Sequence, residues 1–290
     1  MSLIMLLRQR IKTVEAIHKM THAMRLTSRS THAILNKKKQ SLETYRRELE
    51  RILQIVKTDS KTQQAAPNEP PEAHTTQDLI IVVGSQKGLC GAFNTRLYRY
   101  FMQEQEQRAP SQYAIIAIGK KMSENLDAEH QLLYTFNAFN PANFFVVTDE
   151  LYQHIVGPAR YQRVTIYSSY PQSFFVQRPM VTSIEIPQPS PASTTILPVD
   201  ACEPAETVSG YQYDEPPATI LEKLERLYVK VHVEEVLFES LIAEHAARFI
   251  SMDASTTNAE KLLVDMRRDY NKLRQASITR ELMDLMSGLL

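Results

Sequence analysis

From Ala218 to Ser287 the chain reads ATILEKLERLYVKVHVEEVLFESLIAEHAARFISMDASTTNAEKLLVDMRRDYNKLRQASITRELMDLMS, with neither glycine nor proline anywhere in it. An internal proline costs a helix about 3 kcal/mol and a glycine about 1, so this stretch points to a single very long helix. One stripe recurs along it at helical spacing: Leu221, Leu224, Leu227, Val231, Phe238, Leu241, His245, Phe249 and Met252, then Leu262, Met266, Tyr270, Leu273, Leu282 and Leu285. Pro216 and Pro217 suit its first turn.

Working outward, residues 1–66 are equally free of breakers, because all 15 prolines lie between Pro67 and Pro217 and six of the 7 glycines lie between Gly84 and Gly210. Here the stripe is Leu7, Ile11, Val14, Ile17, Met20 and Met24, then Leu35, Leu42, Leu49, Ile52 and Val56. At 1.5 Å per residue the two helices run roughly 80 and 100 Å, too long to stand alone. An antiparallel coiled coil of the two ends, with the middle folded as a separate head, satisfies both.

The middle is written differently. A strand-like run from Gln77 to Val83 ends in the turn Gly84-Ser85-Gln86-Lys87-Gly88-Leu89-Cys90-Gly91. A helix over Asn94 to Gln107 and a strand over Tyr113 to Ile118 follow. Further strands are expected at Asn143 to Thr148, Gln162 to Tyr170 and Val181 to Ile186, with a short helix near Asp149 to Ile155. This alternation argues for a small α/β domain with a largely parallel sheet. The expected organisation is therefore an N-terminal helix over 1–60, a linker over 61–76, an α/β domain over 77–186, a proline-rich linker and tail over 187–215, and a C-terminal helix over 216–290.

At 290 residues the chain can bury a core without staples, and its two cysteines, Cys90 and Cys202, sit in dissimilar contexts that suit a reducing compartment. The longest apolar strings fall far short of a membrane span, and the opening residues lack signal-peptide order. The formal net charge of zero hides a partition. Residues 1–61 carry 14 Lys and Arg against 5 Asp and Glu, residues 62–215 carry 9 against 16, and the remainder 10 against 12. The basic first helix should face something acidic, whether nucleic acid, lipid headgroups or protein.

Chemistry of bond-making is not written in the chain. Glycines 84, 88 and 91 match neither the dinucleotide fingerprint nor a P-loop, so the loop reads as a tight strand-to-helix turn built on Gly88, Cys90 and Gly91 whose glycines permit positive φ. Cys90 could be a nucleophile at a helix start, but a buried thiol is the plainer reading. Glu15, His18 and His22 share a helix face without the order of a metalloprotease site. His245 on the apolar stripe reads as a satisfied core imidazole. Lys37, Lys38 and Lys39 with Arg46, Arg47 and Arg51 could track phosphates or form a solvated face. No catalytic residue, cofactor or metal site is expected.

Four regions, in order along essentially the whole chain, resemble one family. The segment Tyr270-Asn271-Lys272-Leu273-Arg274-Gln275-Ala276-Ser277-Ile278-Thr279-Arg280-Glu281-Leu282-Met283-Asp284, ending Ser287-Gly288, closely resembles the C-terminal signature of the gamma subunits of F-type ATP synthases. Arg8, Arg10-Ile11, Val14, Lys19-Met20-Thr21 and Ala23-Met24 resemble that family's opening helix. Lys87-Gly88-Leu89-Cys90-Gly91 with Asn94 matches its glycine-rich turn, and Glu239-Ser240, Glu244-His245-Ala246-Ala247-Arg248 and Asn258-Ala259 continue the match.

The resemblance implies a rotor stalk: a coiled coil inside a ring of alpha and beta subunits, and a Rossmann-like head that meets epsilon and the membrane c-ring, with ATP chemistry on the beta subunits. It implies that Arg274 and Gln275 hydrogen-bond a beta loop, supported by Thr279 and Glu281, and that Met24 packs near the beta lever close to Arg248. Tyr211, Tyr213 and Glu215 would lie toward the c-ring and epsilon. Leu285, Met286, Leu289 and Leu290 would form an apolar tip turning in a greasy sleeve, the alternative being a frayed terminus. It also implies a peripheral place on the cytoplasmic face of a bacterial membrane, without insertion into it. A reading from another class is a non-motor coiled-coil adaptor that binds nucleic acid or lipid through its basic helix.

Overall fold

The computed structural model describes residues 3–61, 77–107, 113–127, 131–156, 161–185 and 213–287. The two ends are single helices, α1 (Leu3–Lys61) and α5 (Pro217–Ser287), packed side by side and antiparallel. Between them lie β1 (Gln77–Val83), α2 (Phe93–Gln107), β2 (Tyr113–Ile118), α3 (Lys120–Leu126), β3 (Leu132–Phe136), α4 (Phe144–Val156), β4 (Tyr161–Pro171) and β5 (Gln177–Glu185). The long antiparallel pair and the central α/β domain are both present as expected.

The contact between the long helices follows a strict seven-residue period. Leu7, Val14, Thr21, Ser28, Leu35, Leu42, Leu49 and Val56 form one row of α1, and every member is buried or half-buried. A second row, also seven apart, is mostly polar: Ile11, His18, Arg25, His32, Lys39, Arg46 and Leu53. Four of its members reach carboxylates on α5. His18 meets Glu260 at 2.9 Å, Arg25 meets Asp253 at 2.8 Å, Lys39 meets Glu239 at 2.8 Å and Arg46 meets Glu235 at 3.0 Å. A sustained seven-residue repeat is the signature of a left-handed supercoil. Part of the basic charge of α1, at Arg25, Lys39, Arg46 and Lys57, is therefore answered within the chain by α5.

The stripe read from the sequence needs correction at its edges. Leu263 and Leu53 are buried, whereas Leu262 and Ile52 are exposed, as are Ile17 and Met20. A single partner helix covers a narrow seam, so residues one position off it face outward.

In the head the strand order is β3-β2-β1-β4-β5, with β1 parallel to β2 and β4, β2 parallel to β3, and β5 antiparallel to β4. Strand alternation divides the core in two. Leu79, Ile81 and Val83 of β1 pack toward the shaft residues Val233, Leu237 and Leu241, while Ile80 and Val82 pack with Leu97 and Phe101 of α2 and Met122 of α3. The sheet thus lies directly on α5, which serves as one of the head's own core helices. Pro179 sits in β5, an edge strand, where a missing N–H is tolerated.

The segment Asn143 to Thr148, expected as a strand, is instead the start of α4. Its aromatic and β-branched run favours a strand locally, but Phe144, Val147, Leu151 and Ile155 present one buried helical face. The side chain of Asn140 accepts from the backbone N–H groups of Ala142 and Asn143, shaping the turn that starts the helix. Helix α3 and strand β3 carried no recognised sequence signal. The proposed linkers lie almost wholly outside the described residues, as do Cys202 and Tyr211.

Candidate functional site

The glycine-rich turn leaves β1 and enters α2. Its geometry is fixed by Asn94, whose Oδ1 accepts from the Ser85 N–H at 3.0 Å and whose Nδ2 donates to Ser85 Oγ at 2.7 Å. Gly91 takes φ +60, as a turn glycine should, but the neighbouring left-handed position is Leu89 at φ +66, and Gly88 is not left-handed. Of the turn's glycines, which permit positive φ, Gly91 is the one that adopts it. Gly84 is needed for a different reason: a Cβ there would stand 2.5 Å from Met122 Cβ. Cys90 is buried among Phe93, Ala243 and Ala247. Burial pushes its thiol up, against the smaller pull of Ser85 and Arg248. That is the inert cysteine of the two readings.

Arg248 on α5 closes this turn against the shaft. It donates from Nη2 to the Lys87 carbonyl at 3.0 Å and from Nε to the Gly88 carbonyl at 3.4 Å, and it pairs with Glu244 one turn earlier. Only 11% of its side chain is exposed. Glu244 is itself buried, and burial pushes its carboxyl up against the pull of Arg248 and Lys87. The arrangement ties main-chain atoms of the head to a buried ion pair of the shaft. On the next turn face, Phe174 at the tip of the β4–β5 hairpin packs edge-on against His32 of α1 at 4.8 Å and against Phe249 of α5 at 5.1 Å. The head thus grips the shaft from two sides.

His245 lies inside this grip and is not the satisfied imidazole expected. Its Nδ1 is buried without a hydrogen-bond partner. Burial lowers its pKa to about 4, helped by Arg248 and His32. Met24 falls beside the rungs Thr21–Thr256 and Arg25–Asp253, more than a turn from the level of Arg248. The shared register therefore separates the two, and Arg248 is committed to the head.

The three rungs at His18, Arg25 and Lys39 share one register, whose continuation sets Leu3 opposite Gln275. Beyond that point α5 continues to Ser287 for about 18 Å with no described residue of α1 beside it. Arg274 and Gln275, level with the first turn of α1, and Thr279 and Glu281 beyond it are all exposed, and Leu282, Met283, Leu285 and Met286 are large apolar side chains facing outward. The Thr279 hydroxyl donates to the Gln275 carbonyl at 3.0 Å, and Ser277 donates to Glu281 at 3.2 Å. The terminus is helical through Ser287; Leu289 and Leu290 lie outside the described residues. At the opposite end Glu215 pairs with Lys223 at 2.6 Å, and Tyr213 is half-buried nearby in sequence.

The histidine face near the N-terminus is engaged otherwise than by metal. Glu15 pairs with Arg267 at 2.6 Å and His18 with Glu260, and among the described residues no cluster of three ligating side chains occurs. No helix among them is long and apolar enough to cross a membrane. The polar seven-residue row and the Phe174 anchor were missed in the sequence. The row was legible as a period, but its five middle members, His18 to Arg46, are polar and fell outside an apolar count.

Residues 4–289 match the family described as ATP synthase. The chain is 27% identical to the ATP synthase gamma chain of Geobacter sp. (strain M21), covering 97% of this chain and 96% of that one. It is equally 27% identical to the ATP synthase gamma chain of Chlorobium luteolum over the same shares. In three dimensions it resembles a chain of the rotor of the Euglena gracilis mitochondrial ATP synthase, with a TM-score of 0.61 at 15% identity, covering 95% of this chain and 98% of that one. A chain from the central stalk and c-ring of the Tetrahymena thermophila mitochondrial enzyme gives 0.57 at 16% identity, covering 81% and 98%. With its length matched end to end and its head and shaft arranged alike, the chain belongs to the ATP synthase gamma family.

Proposed function

We propose that this chain is the central rotor stalk of the F1 sector, turning with an ion-driven c-ring and coupling that rotation to ATP synthesis or hydrolysis on surrounding beta subunits. The observation that carries the reading is the far end of α5, where a rigid helix presents exposed polar and apolar side chains beyond the first described turn of α1. An asymmetric rod inside a threefold ring offers a different face to each subunit, so each is biased toward a different conformation and nucleotide affinity. The chain supplies torque and contributes no bond-making group.

In this reading Arg274 and Gln275, with Thr279 and Glu281, make the directional contacts to beta, and Met24 contributes from the α1 side. Leu285 and Met286 turn in an apolar sleeve, where contact has no fixed hydrogen-bond register. Tyr211, Tyr213 and Glu215 face the c-ring and epsilon, on the cytoplasmic side of a bacterial membrane. The Arg248 latch supports the reading from within, because torque passes from head to shaft only if the two move as one body. The test is purification of the tagged chain from its own cells, followed by ATP-driven rotation of a rod fixed to the head. Stoichiometric recovery with alpha, beta and epsilon, and stepwise rotation, are expected. Recovery alone on nucleic acid would replace the rotor with the adaptor reading.

A further inference from the structure

The two rows that join α1 to α5 both repeat every seven residues, so the long helices have more than one way to match. If α1 advanced by seven residues toward the free end of α5, about 10 Å, Arg25, His32 and Arg46 would meet Glu260, Asp253 and Glu239, the carboxylates now held by His18, Arg25 and Lys39. In the apolar row Leu42 would replace Leu35, Leu49 would replace Leu42, and Ser28 would bring a hydroxyl to Thr256 in place of Thr21. Residues 62–76, which join α1 to β1, are long enough as chain to absorb the shift. A slide the other way is opposed by like charges. It would set Arg8 against Arg267 and Glu50 against Glu225, where Glu15 and Lys57 now stand.

What opposes the first slide lies at one level, beside the tip of the β4–β5 hairpin. Of the polar row's members His18, Arg25, His32, Lys39 and Arg46, His32 alone has no carboxylate partner among the described residues, because the shared register sets Ala246 opposite it. Phe174 closes the place edge-on at 4.8 Å, and burial lowers the pKa of the imidazole, which keeps it neutral at pH 7. The slide would put Lys39 there, an uncompensated cation facing the same buried His245 ring as Arg248. One turn away Ser28 is 3% exposed. The slide would drive Leu35 into its place and overpack a site built for a small side chain.

We infer that Ser28 and His32, with Phe174 closing the place of the second, set the register of the shaft. They are positioning residues, because the register decides how much of α5 extends past Leu3. After the slide Leu3 would stand level with Leu282 rather than Gln275, and Thr279 and Glu281 would have α1 beside them. The inference concerns the pairing of two helices within one chain, so it goes beyond the rotor reading without depending on it.

The experiment moves the key by one repeat. Nitroxide labels are attached through p-acetylphenylalanine at Lys12 and Asp284 of the full chain, both exposed, and their separation is read by double electron–electron resonance. The otherwise unaltered chain should give one distance. His32→Lys, Leu35→Ser and Lys39→His together copy the pattern of Arg25, Ser28 and His32 seven residues later. The distance should then shorten by about 10 Å while the helical circular dichroism signal is kept. A folded triple variant with the original distance overturns the inference, since a merely structural loss lowers the melting temperature and leaves the distance alone. If the triple variant loses its helical signal, Leu35→Ala with Lys39→His decides instead, because that pair makes both registers acceptable. Two distances about 10 Å apart are then expected, and the original one alone overturns the inference.

Discussion

Arg248 on α5 donates to the main-chain carbonyl of Lys87 across 3.0 Å, so the head is fastened to the shaft through atoms that no side-chain change in the turn can delete. The same guanidinium neutralises Glu244, whose side chain is 6% exposed. Arg248→Ala is expected to destabilise the isolated chain by about 3–5 kcal/mol, because it strands a buried carboxylate. The double variant Arg248→Met with Glu244→Gln should recover part of that loss, since no lone charge remains. Denaturant titration of both variants checks this; a loss below about 1 kcal/mol for the single change would show the latch to be slack.

Burial should rank the rungs of the shaft. Lys39 and Glu239 expose 16% and 12% of their side chains, against 27% and 49% for Arg25 and Asp253. Burial pushes the Glu239 carboxyl up in spite of Lys39, while the amine rises because Glu239 outweighs the burial of Lys39. Double-mutant cycles are expected to give about 1.5–3 kcal/mol for the inner pair and about 0.2–1 for the outer. Raising salt to 0.5 M should erode only the outer value.

The shaft was legible because its signal is an absence: where glycine and proline are missing, little but helix is left. Its partner rows were harder to see, since the seam of α1 includes Thr21 and Ser28, and the flank beside it is charged. In the head, β1 and the turn before α2 stood out through alternation and glycines. The start of α4 did not, because Phe144-Phe145-Val146-Val147 has strand propensity and only tertiary burial makes it helical. Exposed residues proposed to make contacts, such as Arg274 and Gln275, carry no physical mark in isolation. Resemblance supplied their proposed roles, and geometry adds only that they stand beside the start of α1.

His245 makes the grip between head and shaft sensitive to acid. Its folded pKa is about 4 against an ordinary 6.5, so between those values the unfolded chain binds the proton and the folded chain does not. Stability is then full above about pH 6.5 and falls as pH drops toward 4, by on the order of 3 kcal/mol. Arg248 and His32 face the ring and oppose its charging. His245→Leu should flatten this part of the stability profile and cost little at pH 7, since it removes the unpartnered Nδ1. An unchanged slope in the variant would assign the acid sensitivity elsewhere.

Gly119 turns at φ +92, and a Cβ there would meet the Gly84 carbonyl oxygen at 2.5 Å. Both the conformation and the space forbid a side chain, and the obstacle is backbone that cannot rotate away. Gly119→Ala is expected to lower the melting temperature of the head by several degrees while the far-ultraviolet helix signal of the shaft persists. Simultaneous loss of both signals at an unchanged temperature would contradict it.

The contacts proposed at the end of α5 call for a variant that leaves folding alone. Gln275 and Arg274 are exposed, and Gln275 contributes only its carbonyl to the Thr279 hydroxyl. Replacing either side chain with alanine removes no internal hydrogen bond that the structure shows, and alanine is the better helix former. Stability of the isolated chain should change by less than about 0.5 kcal/mol. Assembly with alpha, beta and epsilon should be intact, because the sleeve contacts of Leu285 and Met286 and the seam of α1 remain. ATP turnover should nevertheless fall severalfold, since the directional bonds that stiffen one angular position of the rod against a beta subunit are gone. Ser277→Ala, which removes a donor to Glu281 on the same helix, should leave turnover nearly unchanged. Full turnover in both Gln275→Ala and Arg274→Ala would mean that torque passes through the apolar tip alone.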